Sequence, residues 1–163
     1  MPRLPEDVVP TFDRFVRGPS IIREAITGIG PTEMSRPGRE GWSIRDVLIH
    51  LSDAEMVRAT RFRLILSSEE PPPIFGFDET TWKKRLQYLW RSPEAALALY
   101  EALIYTSAEL LRQYSPKDWD RTGVHETDGD LSVRTLLARG AGHSEAHAAQ
   151  VRELRAEIGP RDS

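Results

Sequence analysis

The chain has 163 residues, 39% hydrophobic and 29% charged, the composition of one ordinary globular domain spanning residues 1–163. Its formal net charge of -3 argues against a nucleic-acid surface, which usually carries an excess of Lys and Arg. It has no cysteine, which excludes disulfides, thiolate metal ligands and a protein thiol nucleophile.

The opening MPRLPEDVVPTF places prolines and acids where a secretory signal needs an apolar run. No later stretch approaches the roughly 18–20 apolar residues of a membrane span. The expectation is a soluble cytoplasmic protein with no membrane partner. Phe12, Phe15 and Val16 suggest a short helix or turn, followed by a first helix from about Pro19 to Gly28 with Ile22, Ala25 and Ile26 at helical spacing. A loop from Gly28 to Gly41 leads to a second helix. Ser43-Ile44-Arg45-Asp46 is a variant capping box, and Val47, His50, Leu51, Ala54, Met56, Val57, Phe62 and Ile65 form an apolar stripe. This helix ends near Ser67-Ser68, before the prolines at 71–73.

Residues 69–91 form a long crossover with a short helix expected from Asp78 to Tyr88. The third long helix starts at Ser92-Pro93-Glu94 and stops at Ser115-Pro116. The fourth is capped by Ser132 and ends at Gly159-Pro160. Its stripe, Leu136, Gly140, His143, His147, Val151, Leu154 and Ile158, steps by three and four as a bundle core does. No segment alternates convincingly with period two. The fold class is all-α: a four-helix bundle with a long crossover between the second and third long helices.

His143 and His147 stand one turn apart where aliphatic residues are expected, so both imidazoles share a face and can share an ion. Gly140 and Gly142 reduce bulk beside them at about 1 kcal/mol each relative to Ala, suggesting that space is needed there. On its own the pair fits a hydrogen-bonded polar layer as well as a metal site. His50, on the apolar face of another helix, strengthens the metal reading, because three bare imidazoles in one core are costly. Three nitrogen ligands with an open position are the arrangement of a catalytic metal site.

Other residues read as follows. In His143-Ser144-Glu145-Ala146-His147, Ser144 fills the place of the catalytic Glu of H-E-x-x-H, and Glu145 reads as a surface acid. Asp53, one turn beyond His50, is either a supporting residue near the metal or a partner for Arg58 or Arg61. His125 reads as a structural loop residue, Trp42 as a staple at the second helix's start, and Trp82, Trp90 and Trp119 as anchors. Phe75 and Phe77 line either a pocket or a dimer contact.

The run from Gly41 to Glu55 (GWSIRDVLIHLSDAE) and the run from Leu136 to Val151 (LLARGAGHSEAHAAQV) resemble the signature of the DinB/YfiT-like metalloenzyme superfamily. Arg91–Ala96 and Asp118–His125 match that family's spacing between them. The resemblance implies a four-helix bundle holding one divalent ion, nickel, zinc, iron or manganese, on His50, His143 and His147. It further implies a transferase, isomerase or hydrolase acting on a small molecule, with a low-molecular-weight thiol such as bacillithiol or mycothiol, or water, as co-substrate. Homodimers are expected. The alternative is a non-catalytic metal-binding stress-response or sensor protein. No general base is assigned.

Overall fold

The computed structural model describes residues 4–159, so Pro160 of the expected C-terminal stop lies outside the described residues. Two short helices open the chain, α1 (Val9–Val16) and α2 (Gly18–Ile26), jointed at Arg17. A further short helix, α3 (Pro31–Ser35), sits in the segment expected to be loop. The central helix is α4 (Ile44–Ser67), and its capping box forms as its sequence predicts: Asp46 N donates to Ser43 Oγ, and Ser43 N to Asp46 Oδ2. The crossover carries β1 (Pro73–Ile74), α5 (Glu79–Arg85) and a 3-10 turn at Tyr88–Trp90. Then come α6 (Pro93–Leu111), β2 (Thr122–His125), β3 (Gly129–Ser132) and α7 (Val133–Ile158).

The molecule is a four-helix bundle whose staves are the jointed α1–α2, α4, α6 and α7. Direction follows from the side chains that meet. Arg45 near the start of α4 donates to Arg91 O just before α6, so the crossover returns the chain and α4 and α6 run parallel. His50 lies against His143, while further along α4 Arg58 lies beside Gly140, so α4 and α7 are antiparallel. Arg14 pairs with Glu145 and Arg155 donates to Ala25 O, which sets α1–α2 parallel to α7.

Where a surface helix would show one apolar stripe, α4 is enclosed: residues 46–55 are all buried. Its polar residues must therefore find partners inside the protein. Phe12, Phe15, Phe62, Ile104, Leu111 and Trp119 fill the main core, with Phe15 edge-on to Phe62.

A three-stranded sheet in the order β1-β2-β3 is an addition to the expected all-helical content. β1 pairs parallel to β2, and β2 antiparallel to β3. The hairpin turns at Asp128-Gly129, where Gly129 has φ +72°, a conformation that L side chains rarely adopt. The strands have only two to four residues, too short to show alternation. Their effect is to clip the crossover to the segment that enters α7. The expected helix from Asp78 to Tyr88 is shorter than that, closing at Arg85 before Gln87 turns left-handed at φ 54°.

The space at Gly140 is not reserved for a ligand, as its place beside the histidines suggested. A Cβ there would stand 2.8 Å from Phe15 Cε2 and 3.0 Å from Arg58 Cδ, so the glycine admits α1 and α4. A Cβ at Gly142 would meet nothing within 4 Å. The two substitutions should therefore differ in sign. In urea unfolding, Gly140→Ala is expected to destabilise by about 1–3 kcal/mol, and Gly142→Ala to stabilise by up to about 1 kcal/mol.

Candidate metal centre

The antiparallel contact of α4 and α7 brings His50, His143 and His147 together, one ring-nitrogen of each lying within 4.8 Å of the others. His143 Nε2 is 3.0 Å from His50 Nε2 and 3.0 Å from His147 Nε2. His50 is buried, at 1% exposure, whereas His143 and His147 are partly exposed at the edge of the core. The fully buried row of α7 is Leu137, Ala141, Ser144, Ala148 and Val151, with Tyr100 OH and Ser144 Oγ 2.7 Å apart. The histidine stripe is thus displaced to the side of that row, where a ligand can reach it.

An imidazole nitrogen offers a single in-plane position, either a proton or a lone pair. His143 Nε2 has two neighbours at 3.0 Å, so mutual hydrogen bonding among neutral rings satisfies one contact and leaves the other unmet. An extra proton is resisted. Burial, then the neighbouring His147, pushes His50 down to about 4. Burial pushes His143 lower still, and His147 is lowered for the same reason. Near neutral pH the three rings are uncharged donors. A cation accepts all of their lone pairs at once, and nitrogens about 2.1 Å from a common metal lie roughly 3.0–3.4 Å apart. The two pairs through His143 have this spacing, and all three nitrogens lie within 4.8 Å of one another. The three residues fit a divalent metal.

The rings are held differently. His147 Nδ1 is 2.7 Å from Gln150 Oε1, one turn further along α7, which fixes the ring and leaves Nε2 facing the other two. His50 Nδ1 is buried without a hydrogen-bond partner and is positioned by packing against Trp42, Phe77 and the other two histidines. Phe77 in turn lies against Trp82, with ring centroids 4.6 Å apart. Lys83 caps Trp42 and bonds Gly41 O and Asp46. The first turn of α5 thus stands over the centre, where Glu79 Oε2 comes within 3.4 Å of His50 Nε2.

Two grooves flank that turn. One, about 490 Å³, is lined by Thr80, Lys83 and Asp46; the other, about 500 Å³, by Phe77, Asp78, Arg61 and Arg139. His125 closes the second groove as the last residue of β2. It is 8% exposed, and its Nδ1 accepts from the backbone N–H groups of Thr127 and Asp128, a turn-forming role.

Asp53 does not bond to a metal-facing histidine. It takes two hydrogen bonds from the Arg91 guanidinium, at 2.7 and 2.9 Å, and one from Tyr88 OH at 2.9 Å. Neither suggested partner is used: Arg58 pairs with buried Glu55, and Arg61 donates to Phe75 O. Asp53 reaches the centre only through its field, which favours the charged form of His50. Its direct effect is to pin the end of the crossover to α4.

Sequence reasoning missed Glu79, Phe77 and Gln150 as neighbours of the histidines, and Trp82 as the residue behind Phe77. Gln150 carried a signal, since a residue three positions after His147 shares its face. The other three lie on a crossover whose docking the sequence pattern does not specify.

A family model described as the DinB superfamily matches residues 14–151. Relatives in Oceanobacillus iheyensis and Geobacillus kaustophilus have names that assign them, provisionally, to the metal-dependent hydrolases. The first is 31% identical, over 83% of this chain and 78% of its own. The second is 33% identical, over 88% and 82%. The solved structure of YfiT from Bacillus subtilis, provisionally described as a metal-dependent hydrolase with an unusual four-helix bundle topology, superposes with a TM-score of 0.85. The identity is 26%, and the match covers 96% of this chain and 90% of YfiT. A mycothiol-dependent maleylpyruvate isomerase shares the fold, with a TM-score of 0.72 at 14% identity, over 88% of this chain and 60% of its own.

The depressed histidines make stability pH-dependent without any metal. The unfolded chain takes up protons near the ordinary value of 6.5, while folded His50 resists until about 4. Stability is full above pH 6.5 and is lost as pH falls through that window, by about 3 kcal/mol for His50 alone. Urea unfolding of chelator-treated protein between pH 7.5 and 4 should show this fall, and His50→Gln should make it shallower, with His143 and His147 supplying the remainder.

Proposed function

The chain belongs to the DinB superfamily, and from that premise we propose that it is a divalent-metal-dependent enzyme that hydrolyses a small molecule or transfers a group to it. One observation carries the reading. Three uncharged imidazoles converge on a point where protons cannot satisfy them. His50, His143 and His147 are the proposed ligands, and nickel, zinc, iron and manganese all suit a nitrogen site of this kind.

When bound, the ion supplies Lewis-acid activation of a water or thiol nucleophile. The chain's own residues do the rest. Gln150 keeps the His147 ring turned toward the centre. Trp42, Phe77 and Trp82 form an apolar wall beside His50 that excludes water and can hold the apolar part of a substrate. A thiol nucleophile has to arrive as a co-substrate, because the chain contains no cysteine. The names of the relatives favour hydrolysis, and the fold shared with a mycothiol-dependent isomerase keeps thiol chemistry in view. We place the protein in the cytoplasm and expect it to work as a homodimer.

Elemental analysis of untagged protein should find one equivalent of a divalent transition metal per chain. His147→Ala should lose most of it and lose the stabilisation that metal gives in thermal unfolding. A metal-free wild-type protein whose melting is unmoved by added Ni2+, Zn2+, Fe2+ or Mn2+ would sink the proposal.

A further inference from the structure

We infer that Glu79, carried by the crossover, is a fourth and displaceable donor to the ion at the three-histidine centre. The inference rests on the metal-binding reading above and adds a residue from outside the two ligand helices.

Position comes first. Asp78 caps α5 by accepting from Thr81 N at 2.5 Å, which places Glu79 at the first position of the helix. Its Oε2 is 3.4 Å from His50 Nε2, the nitrogen that also faces His143. Asp78 before it lines one of the two flanking grooves and Thr80 after it lines the other. Glu79 therefore stands between two approaches to the centre.

The second observation concerns what this carboxylate lacks. A Glu on a helix ordinarily pairs with a Lys four residues later, and Lys83 is available by sequence. Lys83 turns away instead. Its Nζ lies 3.2 Å from Asp46 Oδ2 and 2.5 Å from Gly41 O, and it stacks over Trp42. Among the described residues no Lys or Arg comes within ion-pair distance of Glu79. The side chain that does come within that distance is His50. A carboxylate with no cationic partner, beside three converging imidazole nitrogens, is completed by a cation.

The third is mobility of attachment. The Glu79 side chain is 58% exposed, and among the described residues its one close polar contact is with His50. A ligand held this loosely yields its position to an incoming anion, so the fourth donor need not close the site.

Co2+ added to metal-free protein is the probe, read by its visible absorption and by competition with a chromophoric chelator. Relative to wild type, Glu79→Gln should shift the cobalt absorption bands and weaken Co2+ binding about tenfold or more. Azide, as a probe anion, should bind the Co2+ form of Glu79→Gln more tightly than that of wild type, because no carboxylate has to leave. Equal spectra and affinities in the two proteins would overturn the inference. So would weaker binding with unchanged bands, which marks a charge acting at a distance. A wild-type protein that takes up no Co2+ defeats the three-histidine reading itself, and this inference with it. The melting temperature of metal-free Glu79→Gln, expected to match wild type, excludes a folding defect as the cause.

Discussion

Much of this structure turns on one nitrogen with two neighbours. His143 Nε2 lies 3.0 Å from two other imidazole nitrogens, and a single in-plane position cannot serve both. Protonating a ring would help, and burial opposes it. The fold therefore holds in place a cluster that is unsatisfied by its own chemistry. A cation bound where the two long helices meet would satisfy all three nitrogens at once.

Holding such a cluster requires rigid elements on both sides. The 24 residues of α4 and the 26 of α7 supply them, and each begins with a serine cap. Enclosure of α4 between α6 and α7 leaves His50 no room to turn away. The bundle could still splay at the point where the crossover comes home. Asp53, Arg91 and Tyr88 lock that point: a buried carboxylate on α4 holds a guanidinium two residues before α6. Removing one partner of such a pair leaves a buried charge uncompensated, which typically costs several kcal/mol. The charged residues beside the histidines are thus part of the scaffold that fixes their spacing.

What could be read from the sequence follows the range of the interactions involved. Caps are local, so Ser43 with Asp46, Ser92 and Ser132 announced three helix starts. The spacing of His143 and His147 is likewise local, and an apolar stripe was enough to put His50 on a facing helix. Burial was harder to read. A stripe of threes and fours suggested that the α7 histidines lie in the core, whereas the closest-packed row is offset to Ala141, Ser144 and Ala148. Met56, counted in the stripe of α4, is 42% exposed. Asp53 could not be assigned, because its partner Arg91 is 38 residues away and reaches it only through the crossover. The sheet was illegible for the same reason: two- to four-residue strands are set by their pairing, and only Asp128-Gly129 left a trace.

The division between ligand helices and crossover has an electrostatic side. A divalent ion in a half-buried site adds two positive charges close to Arg58, whose charge already disfavours protonation of His50 and His143. Glu55, 1% exposed, answers Arg58 directly, and Asp53 answers Arg91 in the same way. These two pairs cancel internally, so α4 contributes little net charge toward the ion. Three neutral imidazoles contribute none. Among the described residues Glu79 is the acid within ion-pair distance of the three histidines, and no guanidinium or ammonium group pairs with it. With the ion on His50, His143 and His147 as proposed, the helices would fix where it sits, while Glu79 on the crossover would set how much of its charge an incoming molecule meets. A change confined to α5 can then alter reactivity and leave the bundle as it is.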